Sequence, residues 1–199
     1  MTSEDAKTLR ASGRPATIDP DAVAGLALEL FAEHGYQNTS MEDIARAAGI
    51  GRKSLYRYFA SKADLVWGGT EPVVEASTIA FGSFHRQEKS DGDVLTGLRE
   101  AAVAGVAVIP DLSVTRGRLR LIAEHAELTS RSYESLAPQR ERALAFLVEN
   151  GLSDSAARFL SAAYLAATFE AWMQWAAGSD PDPAPYLMAA LEVLRVPPR

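Results

Sequence analysis

Apolar residues recur at helical spacing along most of the chain, and no window shows the sustained two-residue alternation of β-branched residues that indicates a strand. Glycine and proline interrupt this pattern at intervals that suit helices of ordinary length. Beyond residue 62 the breaks fall at residues 68–72, 90–92, 110, 138, 150–151 and 178–185. The sequence therefore predicts an all-α protein of about nine helices.

The composition excludes several classes of protein. The chain has 199 residues, of which 47% are apolar and 23% charged, so a buried core can form, and it has no cysteine. The absence of cysteine excludes disulfides, thiolate metal sites and a cysteine nucleophile. The three histidines form no ligand pattern, and neither a P-loop nor a full dinucleotide-binding glycine fingerprint is present. We expect no enzyme, catalytic residue, metal or cofactor, although carboxylates on different helices could still form a catalytic pair.

The chain also lacks the patterns of export and membrane insertion. Its first twelve residues include four charged ones and lack the apolar stretch that a secretory signal needs. The longest apolar run, residues 101–109, is too short to span a bilayer. We therefore expect a soluble cytoplasmic protein.

Three short helices are predicted between residues 19 and 59, because N-cap residues mark their starts and glycines mark the ends of the first two. Gly49, in the tight connection between the second and third helices, permits the backbone angles of a helix-turn-helix. In that motif the last helix, here from about Arg52 to Phe59, lies in the major groove of DNA. The boundary signals are Asp19 with Pro20, Gly35, the capping-box pairs Thr39/Glu42 and Ser40/Asp43, Gly49, and Ser61 for a fourth helix.

The distribution of charge singles out the same segment. The net charge is −6, and from residue 63 onward the chain carries 12 basic and 18 acidic residues. Residues 44–62, in contrast, contain five basic residues and no acidic one. A compact basic tip on an acidic body is typical of a protein in which one small unit contacts phosphate. The alternative is a basic helix face exposed to solvent.

Residues 39–62, TSMEDIARAAGIGRKSLYRYFASK, resemble the amino-terminal DNA-binding domain of the TetR family of transcriptional regulators, and the resemblance covers about residues 18–65. It implies a second, helical domain that binds a ligand and dimerises. It also implies a homodimeric repressor that a small molecule releases from a palindromic operator in double-stranded DNA. We expect a flexible arm with basic residues at 1–17, a helix-turn-helix domain at 18–62, and a ligand-binding and dimerisation domain at 63–199.

The candidate DNA-binding residues lie on this domain and its arm. Arg52 and Lys53, at the start of the third helix, are expected to contact base edges or nearby phosphates. The resemblance implies phosphate contacts for Tyr56 and Tyr58. The alternatives are helix capping and packing between helices. The full set is Arg14 in the arm, Thr39, Ser40, Arg52, Lys53, Ser54, Tyr56, Tyr58 and Lys62.

The carboxyl-terminal helices carry two apolar stripes, one along a long alanine-rich helix and one after Pro185. Reading two half-sites of DNA requires a dimer, and small residues allow helices to approach closely. The expected dimer-interface residues are Tyr164, Leu187, Leu191 and Leu194. The alternative is that these stripes are buried within one chain.

Aromatic residues of the second domain predict a pocket for an apolar ligand. The candidate lining residues are Trp67, Phe81 and Phe84 in the predicted fourth helix, His125 as a polar group, and Phe169 and Trp172. Ordinary core packing is the alternative.

Residues 116–153 resemble members of the family that respond to fatty acyl-coenzyme A, among them regulators of mycofactocin clusters. This resemblance implies an acyl-coenzyme A effector, for which Arg116, Arg118 and Arg120 are phosphate-binding candidates or else a solvated face. Two further alternatives stay open. In the first, the helical bundle recognises a protein partner or binds no ligand at all. In the second, the protein activates transcription instead of repressing it.

Overall fold

The computed structural model describes residues 19–84 and 93–196. These residues form twelve helices, nine of them of seven residues or more, and no strand occurs among them. The prediction of an all-α fold with about nine helices is confirmed. The helices are α1 Pro20–His34, α2 Met41–Ala47, α3 Arg52–Tyr58, α4 Lys62–Trp67, α5 Glu71–Phe84, α6 Asp93–Ala107, α7 Leu112–Glu124, α8 Ala126–Thr129, α9 Ser132–Ser135, α10 Ala137–Glu149, α11 Asp154–Ala177 and α12 Ala184–Glu192.

Helices α1 to α3 form the predicted helix-turn-helix unit. The side chain of Asp19 caps α1, while Ser40 and Asp43 form a reciprocal capping box at the start of α2. Gly49 has a φ of +65°, which lets the chain turn sharply between α2 and α3. Ile44 and Leu55 are fully buried, so that they fix α3 against α2.

The core of this unit continues into the second domain. Buried side chains of α1 to α4 form one apolar cluster with Leu119 and Ile122 of α7, Leu128 of α8 and Trp175 near the end of α11. Polar contacts reinforce the junction. Trp67 Nε1 donates to the carbonyl oxygen of Leu128 at 3.1 Å, and Arg131 Nη2 lies 2.7 Å from Asp64 Oδ1. The orientation of the helix-turn-helix unit is therefore fixed by packing against α7 and α8.

A second apolar cluster holds the remaining helices together and centres on Phe146 of α10. The ring of Phe146 stacks on Phe81 at 4.4 Å between centroids and meets Phe84 edge-on at 5.3 Å. Gly97 of α6 faces the same ring and leaves no room for a side chain. The two phenylalanines at 81 and 84 lie on α5, not on the helix of Trp67 as expected, because the glycines at 68 and 69 separate α4 from α5.

Candidate nucleic-acid interface and bundle cavity

Helix α3 presents a basic and aromatic surface to solvent. Arg52 and Lys53 are exposed, and Tyr56 and Tyr58 are 41% and 42% exposed, whereas Leu55 is buried. The guanidinium of Arg52 lies 5.5 Å from the ring centroid of Tyr56. A planar cation stacked on an aromatic ring loses little freedom when it contacts DNA, because its side chain is already ordered. The structure thus leaves the main candidate residues of α3 accessible to a DNA duplex.

A groove of about 380 Å³ lies beside this surface, and we call it the α2–α3 groove. It brings together Ser40 at the start of α2, Arg52 and Tyr56 of α3, and Lys62 at the start of α4. Its full lining is Gln37, Asn38, Thr39, Ser40, Met41, Glu42, Arg52, Tyr56 and Lys62. Hydroxyl, guanidinium and ammonium groups at the starts of helices are suited to phosphate oxygens. The groove is therefore the candidate position of a DNA backbone phosphate.

Two side chains of the groove are already engaged within the chain. Ser40 Oγ accepts a hydrogen bond from the Asp43 amide at 3.1 Å, and hydrogen bonds from Ser40 hold the pKa of Asp43 below its usual range. Lys62 Nζ donates to the carbonyl oxygen of Tyr36 at 2.5 Å and lies 4.4 Å from its ring centroid. Burial lowers the pKa of Lys62, and Glu127 opposes this effect. A phosphate contact by either residue has to share these bonds.

Among the candidate DNA-binding residues that the structure describes, Thr39 is the one that is buried. Its side chain is 2% exposed, and Oγ1 donates to the carbonyl oxygen of Gly35 at 2.9 Å. The Thr39 amide donates to the same oxygen at 3.2 Å. Both donors are used where α1 turns into α2, so Thr39 has no free donor for the phosphate contact expected from the sequence. Ser40, not Thr39, is the N-cap of α2.

The other candidates differ in accessibility. Ser54 is half-buried on the first turn of α3, behind an N-cap, Gly51, that offers no side-chain bond. Arg14 and the rest of the expected arm lie outside the described residues. Sequence reasoning missed Gln37 and Asn38, which line the α2–α3 groove. Their position in the tight turn after Gly35, directly before a helix start, is the signal that could have indicated them.

An apolar cavity of about 390 Å³, which we call the bundle cavity, lies between the helices of the second domain and α1 of the helix-turn-helix unit. Its wall includes three of the candidate ligand residues, Trp67, Phe169 and Trp172. An adjacent cavity of about 100 Å³, which we call the extension, is lined by Phe81 and shares five wall residues with the bundle cavity: Val73, Leu136, Gln139, Phe169 and Trp172. Its size places the bundle cavity within the range of small-molecule sites, roughly 300–1,000 Å³.

Two expected ligand residues lie elsewhere. Phe84 packs against Phe146 and is in the wall of neither cavity. The ring of His125 instead lies 4.7 Å from that of Tyr36, at the junction between the two domains. His125 ends α7, so it lies beyond the part of this helix that faces the cavity.

The arginines of α7 also differ from the expectation. Arg116 Nη1 donates to the carbonyl oxygen of Gly178 at 2.8 Å, and Arg120 Nε donates to that of Ala176 at 2.7 Å. These two side chains satisfy carbonyl groups at the end of α11, where cations stabilise a helix. Arg118, two residues from each, lies in the wall of the bundle cavity. The expected phosphate-binding cluster is therefore not formed by these three residues.

The structure places the four candidate dimer-interface residues in the interior of the single chain. Leu187 and Leu191 are 1% exposed, and Leu194 and Tyr164 are also buried within the single chain. The hydroxyl of Tyr164 donates to the carbonyl oxygen of Leu98 at 3.2 Å, and burial raises its pKa. The alternative of an intrachain core applies to all four residues. The side of α11 that faces solvent presents Phe159, Ala162, Ala163 and Ala166 between the charged residues Arg158 and Glu170, and Phe159 is 75% exposed.

No helix of the two described segments is long and apolar enough to cross a membrane. Within these same segments, no three histidine, aspartate or glutamate side chains lie close enough to hold a metal ion.

Comparisons with known proteins agree with this architecture. The chain is 50% identical over 56 residues to a protein of Mycobacterium tuberculosis named as the mycofactocin biosynthesis transcriptional regulator MftR, and the match covers 28% of each chain. The HTH-type transcriptional regulator AcrR of Shigella flexneri is 34% identical over 105 residues, 51% of this chain and 45% of that one. The matches therefore span about a quarter to a half of the length of these curated relatives.

A solved structure, described as a TetR-family transcriptional regulator from Syntrophomonas wolfei, has the same fold. It superposes with a TM-score of 0.58 at 17% identity, covering 87% of this chain and 91% of that one. Two family models match the sequence. Residues 25–66 match the bacterial regulatory proteins of the tetR family, and residues 92–197 match the MftR C-terminal domain. The chain thus belongs to the TetR family of DNA-binding transcriptional regulators, which are not enzymes, and has an MftR-type C-terminal domain.

Proposed function

We propose that the protein is a homodimeric repressor that binds a palindromic operator and leaves it when a small, largely apolar molecule occupies the bundle cavity. The observation that carries this proposal is the shared core. The helix-turn-helix unit packs on α7, and α7 also provides wall residues of the bundle cavity. A ligand that shifts α7 would therefore reorient α3.

The proposed DNA contacts divide into two kinds. Arg52 and Lys53 at the start of α3 read base edges, whereas Tyr56, Tyr58, Ser40 and Lys62 hold phosphates. Ser54, on the first turn of α3, is proposed to contact either a base or a phosphate. Arg14 of the arm is proposed to enter the adjacent minor groove, where a narrow groove attracts arginine.

The test of DNA binding is a selection from random duplex DNA at two salt concentrations, which needs no knowledge of the effector. An enriched palindrome is the expected result. Tyr56→Phe should then weaken binding to all sequences similarly, while Arg52→Ala should also relax the preference at one or two base pairs. Weak, sequence-blind binding, or an equal loss of specificity in both variants, would contradict these roles.

The proposed dimer interface is the exposed row of α11 at Phe159, Ala162, Ala163 and Ala166. Alanines allow two copies of this helix to approach closely, and Phe159 adds apolar area that is costly to leave in water. Reading two half-sites of one operator requires a dimer, and this row is the surface that we propose for it. The occupant of the row is therefore a second copy of the chain.

A matched pair of substitutions tests the interface. Ala163→Arg introduces a charge into the proposed contact, and Ala145→Arg introduces the same residue at an exposed position of α10. Sedimentation should show monomers for Ala163→Arg and dimers for Ala145→Arg. If both variants were dimers, the interface would have to lie on another surface and the proposal would be refuted. Leu191→Asp is unsuitable because Leu191 is buried within the chain.

The proposed effector is apolar because aromatic and aliphatic residues form most of the cavity wall. A fatty acyl-coenzyme A, which the resemblance of residues 116–153 implies, stays one candidate. Arg116 and Arg120 do not add support, since their guanidinium groups bind the end of α11.

A further inference from the structure

Two buried side-chain polar atoms in the described part of the chain have no hydrogen-bond partner, and they belong to Arg118 and Gln139. The atoms are Arg118 Nε, a donor, and Gln139 Oε1, an acceptor. Both side chains are in the wall of the bundle cavity. Because folded proteins pair nearly all of their buried polar groups, the unpaired donor of Arg118 indicates an acceptor that a ligand supplies. Gln139 can also present its NH₂ group, since its amide can rotate by half a turn.

Acidic side chains lie near the guanidinium of Arg118. Arg118 Nη1 and Asp21 Oδ1 both lie beside Gly69. A Cβ atom added to this glycine would be 3.5 Å from the nitrogen and 3.6 Å from the oxygen. Burial lowers the pKa of Arg118, and the carboxylates of Asp21 and Glu71 oppose this effect. Asp111, the N-cap of α7, places another acidic residue in the cavity wall. A ligand that brought a further negative charge would face these carboxylates.

The rest of the cavity offers no free polar group at its narrow end. The extension is bordered by Tyr164 and Thr168, whose hydroxyls donate to the carbonyl oxygens of Leu98 and Tyr164 at 3.2 and 2.8 Å. Both hydroxyls are therefore satisfied within the protein. The other residues that border this end are mostly apolar, among them Phe81 and Leu187. An apolar chain fills such a space without leaving polar atoms unpaired.

We propose that the bundle cavity binds an apolar chain that carries one uncharged hydrogen-bond acceptor, the carbonyl of an ester, amide or ketone, and that Arg118 Nε donates to this oxygen. The apolar chain extends past Gln139 towards Tyr164. The same molecule with a free carboxylate is disfavoured by Asp21, Glu71 and Asp111. This inference rests on the proposed function, because it names the chemical class of the effector.

The experiment compares methyl decanoate with decanoate, two probes that share the acyl chain and differ in charge. Trp67 and Trp172 line the cavity, so a change in their fluorescence reports occupancy of the free protein without DNA. At neutral pH methyl decanoate should bind at least about tenfold tighter than decanoate, since the carboxylate of decanoate is repelled by the carboxylates near the cavity. The difference should narrow as the pH falls and decanoic acid becomes uncharged.

Substitution of Arg118 tests the proposed hydrogen bond. Arg118→Lys keeps the positive charge but removes the Nε donor, and it should weaken ester binding by about tenfold or more. Arg118→Met removes both the donor and the charge, so it should also weaken ester binding, and it should not improve decanoate binding because the nearby carboxylates are left without this cation. Arg120→Lys is the control, because Arg120 is on the same helix and its Nε donates to Ala176. Ester affinity should be unchanged in this variant.

The outcomes separate this inference from the proposed function. Equal or tighter binding of decanoate, or binding of neither probe, would overturn the inference, while the DNA selection would still test operator binding. Ester affinity that Arg118→Lys and Arg120→Lys change equally would also overturn it. Ester binding that depends on Arg118 but does not release DNA would support the inference and refute release by an effector.

Discussion

Replacing Gly97 with alanine should destabilise the protein, although alanine is the better helix former. A Cβ at position 97 would lie 2.4 Å from Cζ of Phe146 and 3.2 Å from its two Cε atoms. The ring cannot move away easily, because it is 2% exposed and packs between Phe81 and Phe84. Overpacking of a core costs about 1–3 kcal/mol, and the helical preference for alanine returns only about 0.5–1 kcal/mol. We expect a net loss of about 1–2 kcal/mol.

Gly117→Ala is the matched control in the interior of another helix. No atom lies within 4 Å of a Cβ built on Gly117, so the full helical preference of about 0.5–1 kcal/mol should appear as a gain. Thermal unfolding at one protein concentration should show a melting temperature lower by about 2–8 °C for Gly97→Ala and higher by about 1–4 °C for Gly117→Ala. Shifts of the same sign in both variants would refute the packing argument.

Three further changes test other parts of the structure. Gln139→Leu should leave stability unchanged or raise it by up to about 1 kcal/mol in urea unfolding, because the lost oxygen has no partner. Tyr164→Phe should cost about 1 kcal/mol through the lost bond to Leu98 without changing the oligomer seen in sedimentation. Asp43→Asn should destabilise the protein near neutral pH, as measured by thermal unfolding. The pKa of Asp43 is depressed by Ser40, so its contribution exists above the unfolded pKa and disappears as the pH falls through the folded one.

The helix-turn-helix unit could be predicted from the sequence because its signals are local. Asp19 and Ser40 cap helices through atoms only two or three residues away, and Gly49 meets a backbone requirement at its own position. The exposed side of α3 follows in the same way from the burial of Leu55. Thr39 was misplaced because it and Ser40 share the spacing of a capping box, and only the turn after Gly35 decides between them.

The second domain could be predicted less well because its determinants lie far apart in the sequence. A stripe containing Leu187 and Leu191 looks the same whether it is buried against α11 of its own chain or against a second copy. The roles of the arginines could have been separated. Arg116 and Arg120 are four residues apart and share one face of α7, while Arg118 points to the opposite side. Sequence spacing cannot show, however, that the first face meets the end of α11.

The continuous core between the DNA-binding unit and α7 limits how this regulator can be engineered. In a chimera that joins residues 18–62 to another sensor domain, the DNA-binding unit would lose its apolar contacts with Leu119, Ile122 and Leu128. The transplanted unit would then expose part of its own core to water, at a cost of about 25 cal/mol for each Å². A working hybrid therefore has to carry the matching surface of α7 and α8 along with the DNA-reading helices.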